Sequence, residues 1–270
     1  LTGIAEIFFM AQEYEKALRF TEDAQEIDPD YPDSYRIQGD IYLREIRAKR
    51  ENKKRALEAF KAVSPDNALG DYLSAHLSFS EGKYGEAANG LLASLDHGTL
   101  ADFSEQIMAG TEQAYLSIGQ DPLSAQLAAM AGLTRPTITP IREVSRHLDS
   151  LKDEFIKAED YDAAHPTVLV GLDLGQKMQS QAPYLIDQLV GMSIERSFLE
   201  QLDPLTATGG NGQTAGERLA ELEAKNADIK ATTSAFSETS LKMDAAASQE
   251  YFKRVRRDGE LSAMKWVLAR

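Results

Sequence analysis

The sequence predicts an all-α protein. Apolar residues recur at helical spacing along most of the chain, and period-two alternation never persists long enough to define a strand. Small residues also return at intervals close to the length of a helical hairpin. Anchor alanines stand at Ala17, Ala56, Ala87, Ala125 and Ala164, with spacings of 39, 31, 38 and 39 residues.

The first helical pair is read from LTGIAEIFFM followed by EYEKALRFTEDAQEIDP, with Ala5, Ala17 and Ala24 as small residues at a crossing and Pro29 as the stop. Phe8 and Tyr14 supply the bulk beside them, and Thr21 takes a place where a larger apolar residue is expected. After the turn DPDYPD, Tyr35, Gly39 and Tyr42 define the first helix of a second pair. Its second helix lies in RALEAFKAV at Ala56 and Phe60, about five residues late, because REIRAKRENKKR either lengthens the helices or forms a longer loop. A third pair is read from GDYLSAHLSFSEGKYGEAANGLLASL through Ala75, Gly82, Tyr84, Ala87 and Leu91. This arrangement of small and large residues resembles the tetratricopeptide repeat family over residues 1–98, and in degenerate form over 99–178. The resemblance implies stacked antiparallel hairpins forming a superhelix.

Beyond Gly98 the pattern weakens. Asp121-Pro122 reads as a capped helix start before LSAQLAAMAG. LTRPTITP is a linker, and Thr139-Pro140 opens a helix with apolar residues at 141, 144, 148, 151 and 155. A fifth pair through Tyr161 and Ala164 carries two departures. Lys152 stands where a small residue is required, and Pro166 is expected to interrupt the second helix. PYLIDQLVGMSIERSFLEQL predicts a buried helix, TATGGNGQTAG a flexible loop, and TTSAFSETS a polar break before the terminal helices. The expected division is a repeat region over 1–132 and an irregular helical region over 133–270.

Composition limits the chemistry. With 270 residues, 43% hydrophobic and 27% charged, the chain has ample material for a core. A net charge of -14 disfavours tracking a phosphate backbone, so no nucleic acid is expected as a partner. The absence of cysteine excludes disulfides, thiolate zinc sites and cysteine nucleophiles. No apolar run reaches membrane-spanning length, and the opening residues lack a signal-peptide layout. The chain reads as beginning inside a helix, as though upstream residues had been removed, which leaves cytoplasm and envelope both open.

No catalytic constellation emerges. His76, His97, His147 and His165 do not form an HExxH pair, and neither a GxSxG elbow nor a Walker A loop occurs. GLDLGQK at 171–177 has three residues between its glycines where a phosphate loop needs four, and it reads as a close helix crossing through Gly171 and Gly175. GGNGQTAG lacks the lysine and preceding strand of an anion loop. DPDYPD and AEDYDAAH lack calcium-loop spacing. No cofactor and no metal is expected. The basic run Arg44, Arg47, Lys49, Arg50, Lys53, Lys54 and Arg55 is either a solvated helical turn or a patch for an acidic segment or anionic lipid. Lys253, Arg254, Arg256 and Arg257 read as charges complementing a helix C-terminus.

The resemblance further implies a concave groove lined by the first helix of each pair, binding an extended peptide or a partner's helix. Carried onto this chain, its lining comprises Thr2, Glu6, Phe9 and Met10, then Asp33, Arg36, Asp40, Leu43 and Arg44, then Tyr72, His76, Phe79 and Ser80. The Lys/Asn/Lys/Arg carboxylate clamp of chaperone-binding members is absent, since Thr2 and Glu6 stand at its positions in the first pair. The partner expected is therefore a protein or peptide with basic and apolar residues. On this reading the chain is a non-enzymatic scaffold or adaptor within a bacterial multi-protein or envelope assembly. Two alternatives stay open: a helical enzyme or regulatory module with its active part in 140–270, and an assembly factor docking on a surface through the 44–55 run.

Overall fold

The helical periodicity resolves into fourteen α-helices and one 3-10 turn, with no strand among the described residues. The computed structural model describes residues 1–44, 50–132, 135, 137–208 and 212–270, and the side chains of all of these except Leu43, Arg44 and Arg50. Two compact units, 1–141 and 142–270, divide within the ninth helix. Among the described residues no helix is long and apolar enough to cross a membrane.

The first unit is a series of helical hairpins: α1 (Thr2–Met10) with α2 (Tyr14–Ile27), α3 (Pro32–Arg44) with α4 (Arg50–Val63), α5 (Leu69–Ser80) with α6 (Tyr84–Ala93), and α7 (Ser104–Ser117) with α8 (Pro122–Ala131). Helix α2 packs on α3, and α4 on α5, so the first three hairpins are joined side by side. Ala5, Ala17, Ala56, Ala75 and Ala87 are all buried, as the small-residue spacing requires. Around the first pair, Ala5, Phe9, Ala17, Ile37 and Ile41 form one apolar cluster, flanked by Phe8 and Phe20 with their rings stacked at 5.4 Å. Thr21 is tolerated in this core because its hydroxyl donates to the Leu18 carbonyl at 2.7 Å. Asp121 caps α8 as its sequence suggests, accepting from the amides of Leu123 and Ser124 at 3.1 Å each.

The fourth hairpin departs from side-by-side order. Helix α7 packs against α1, where Gly3 and Gly110 let the two backbones touch. A methyl group at Gly3 would lie 2.1 Å from the Gly110 carbonyl carbon. Between α6 and α7, after the 3-10 turn Ser94–Asp96, residues 97–103 run without helix past the α4–α5 junction. We refer to this segment as the strap.

Helix α9 (Ile138–Lys157) crosses the division, and its apolar stripe buries Val144 and Leu148. In the second unit α10 (Tyr161–Gln181) and α11 (Leu185–Leu199) form the most extensive helix pair. Glycine makes that approach attainable, and the GLDLGQK stretch is helical as read. A methyl at Gly175 would meet Glu195 at 2.7 Å, and one at Gly191 would meet the Gly175 carbonyl oxygen at 2.7 Å. Phe198 lies over Gly171 in the same way. Lys152 is fully buried, its ammonium 5.1 Å from the Phe198 ring centroid and ion-paired to Asp149 and Asp153.

Two expectations from sequence are corrected. Pro166 does not interrupt its helix: α10 runs continuously through it, forgoing the one backbone bond that the missing N–H would have made. Nor is TTSAFSETS a break, since all of it belongs to α12 (Ala215–Ser240). Its hydroxyls turn inward on the helix's own backbone, Thr233 donating to Ile229 O, Ser237 to Ser234 O and Thr239 to Ala235 O. Thr214 and Glu217 start α12 with a reciprocal capping box. The chain closes with α13 (Ala245–Asp258) and α14 (Glu260–Leu268), which pack on each other, with α14 also against α12.

Candidate functional site

A buried cluster of charge lies inside the first unit, at residues assigned to the groove. Arg36 sits mid-helix on α3, with Asp33 one turn before it and Asp40 one turn after, so both carboxylates share its face. Glu6 reaches it from α1. The guanidinium is ion-paired with Asp40, with Glu6 at 3.4 Å and with Asp33 at 3.8 Å. Arg36 is 3% exposed and Glu6 1%.

Enclosure sets the protonation of this group. Burial works against the Arg36 charge, but Asp40, Glu6 and Asp33 outweigh it and raise its already high pKa. Asp33 behaves in the opposite sense. Burial pushes its carboxyl up to about 6 from 3.8, and the attraction of Arg36 together with the Thr2 hydroxyl only partly offsets that. Nearby, Asp102 of the strap pairs with Arg135 at 2.8 Å, and both Asp102 and Arg135 bond to the Ser104 hydroxyl that opens α7.

The structure gathers Glu6, Asp33, Arg36 and Asp40 of the expected lining and encloses most of the rest. Glu6, Phe9, Arg36, Asp40, Tyr72 and Phe79 are buried, Thr2 and Asp33 likewise, and His76 is half-buried. Thr2 lies against Gly110 of α7, and Met10 against Gly132 at the end of α8. The chain's own 102–132 region therefore covers part of the face of α1 that was expected to receive a partner. Leu43 and Arg44 lie on α3, but their side chains fall outside the described residues. In the basic run Arg47, Lys49 and the Arg50 side chain also fall outside them. On α4, Lys53 is half-buried, while Lys54 and Arg55 are exposed, with Arg55 bonded to Asn52 at 3.5 Å.

The strap itself was not legible in the sequence. Asn67, in the α4–α5 connection, grips it with both ends of its amide: Nδ2 donates to the Ala101 carbonyl at 2.8 Å, and Oδ1 accepts from the Ala101 amide at 3.0 Å. The Ala68 amide donates to Thr99 O at 2.9 Å, and the Thr99 amide to Asp66 O at 3.3 Å, making a one-bridge parallel pairing. His97 Nδ1 lies 2.7 Å from the Asp71 carboxylate, and Phe103 meets Phe60 edge-on at 6.0 Å. An Asn within a loop gives no sequence signal for such a grip.

The second unit has its own polar core, likewise unforeseen. Glu195, fully buried at the α10–α11 crossing, takes both arms of the Arg218 guanidinium at 2.8 Å each and the Gln179 amide at 2.6 Å. A hollow of about 200 Å3 lies nearby between α11 and α12, lined by Leu189, Met192 and Leu222 and edged by Arg196. Among the described residues no group of three or more histidine, aspartate or glutamate side chains is disposed to hold a metal ion. Comparison of the chain with family models, with curated proteins and with solved structures finds no significant match.

Proposed function

We propose that this chain is a helical scaffold that works by holding a protein or peptide partner, its first unit stacked in the manner of tetratricopeptide repeats. One observation carries the reading. The small residues at the repeat spacing, Ala5, Ala17, Gly39, Ala56, Ala75 and Ala87, are all buried in hairpins joined side by side through α6. Hairpins of this kind bury their apolar faces only on their neighbours, and the surface they build is extended and suited to recognising other chains. The charged groups gathered in each unit are spent on one another, as ion pairs around Arg36 and around Glu195, and serve the fold.

The test is site-specific photocrosslinking in the native source. Crosslinkers replace the exposed residues Lys54, Asp66 and Glu86 of the first unit, with Leu241 of the second as control. Recovery of one defined protein from the first three positions and not from the control supports the scaffold reading. Absence of any crosslinked chain at all of them overturns it.

A further inference from the structure

The strap is held in a way that a fixed connection does not need. We propose that residues 99–103 are a ligand bound in cis, and that their site accepts in trans an extended peptide carrying an aspartate followed by an aromatic residue. This rests on the scaffold reading and names the class of segment that the scaffold would hold.

Three features argue for it. The grip is on main chain: Asn67 reads both polar groups of Ala101, and the 66–68 backbone pairs with Thr99. Recognition of that kind holds any extended peptide, whichever chain it belongs to. Two side chains then add selectivity, Asp102 on Arg135 and Phe103 against the Phe60 ring.

The strap is also removable. Gly98 and Thr99 are exposed and residues 100–103 only half-buried. Moreover, Phe103 has φ +57, a left-handed conformation that strains a bulky aromatic, imposed because the chain must turn at once into α7. A separate peptide makes no such turn, so its aromatic can meet Phe60 without that strain. The strap's advantage is its tether, which keeps it at an effective concentration on the order of millimolar.

The experiment uses a labelled, end-capped peptide of residues 98–104 (GTLADFS) and fluorescence anisotropy. In Asp102→Asn the cis aspartate loses its charge but keeps an oxygen for the Ser104 amide, so that bond at the start of α7 is retained. The peptide is expected to bind this variant at least tenfold more tightly than wild type. Replacing the peptide's aspartate by asparagine, or adding Asn67→Ala to the variant, costs at least tenfold. No binding, equal binding to variant and wild type, or equal binding of the two peptides overturns the proposal. Hydrogen exchange on the unmodified chain gives an independent reading. The Thr99 and Ala101 amides are expected to exchange by local opening, and exchange only through unfolding of the whole unit overturns the proposal. A partner crosslinked at Lys54, Asp66 and Glu86 whose complex leaves the strap amides unchanged sinks this inference and leaves the scaffold standing. Peptide binding with no partner crosslinked does the reverse.

Discussion

Arg36 Nε stands 3.8 Å from the Asp33 carboxylate, and the carboxylate is nonetheless harder to ionise than a free aspartate, titrating at about 6 instead of 3.8. Desolvation wins because the one cation is shared among three acids, and Asp40 and Glu6 have the closer claims.

That raised value fixes the sign of a pH effect. Between about 4 and 6 the folded chain holds a proton on Asp33 that the unfolded chain has released, so this group's contribution to stability declines as pH rises through that window. Asparagine does not titrate. Asp33→Asn is therefore expected to match wild type near pH 4 and to be more stable above pH 7, by on the order of 1–3 kcal/mol. Denaturant melts at the two pH values check this, and an advantage that shrinks with rising pH contradicts it.

Removing the cation is the larger insult. Arg36→Ala leaves Glu6 and Asp40 buried without their counter-charge and is expected to cost about 3–5 kcal/mol. Neutralising both acids as well, with Glu6→Gln and Asp40→Asn, is expected to restore part of the loss. A triple variant weaker than Arg36→Ala alone would mean that the three residues matter for shape and not for charge.

Glycine substitutions separate crossing from helix interior. At Gly191 an added methyl meets the Gly175 carbonyl oxygen and Met178, so Gly191→Ala is expected to destabilise the second unit by about 1–3 kcal/mol or more. At Gly90, within α6, nothing lies within 4 Å, and Gly90→Ala is expected to stabilise by up to about 1 kcal/mol. Thermal melts of the two variants should move in opposite directions.

The capping box of α12 sets a local acid sensitivity. Backbone and hydroxyl bonds from Thr214 hold the Glu217 carboxyl below its usual 4.5. The stability it lends is present above that value and is lost as pH falls through the lower folded one. Protection factors of the first α12 amides should fall in that range in wild type and be low and flat in Glu217→Gln. Equal pH profiles would remove the carboxylate from the cap.

Helix existence and the crossings were legible because both depend on local pattern. Ala17, Ala56 and Ala87 mark close packing wherever they occur, and Asp121-Pro122 announces its own cap. The helical course through Pro166 and TTSAFSETS was misread for an equally physical reason. Propensity describes an isolated segment, whereas packing against neighbouring helices overrides it. The burial of Arg36 and Glu195 could not be foreseen, because what encloses them comes from distant parts of the chain. Nothing near Asn67 foretells that its amide meets Ala101, thirty-four residues on.

The contact of Gly3 with Gly110 changes how the first unit should come apart. Hairpins that touch only their neighbours can be lost singly from an end, each at its own cost. Here the last hairpin is fastened to the first, so neither end is free to peel. The loop closed between those glycines must form before the contact rewards it, which places it late and slow in folding. Once made, it couples eight helices into a single event, so the unit should melt in one transition.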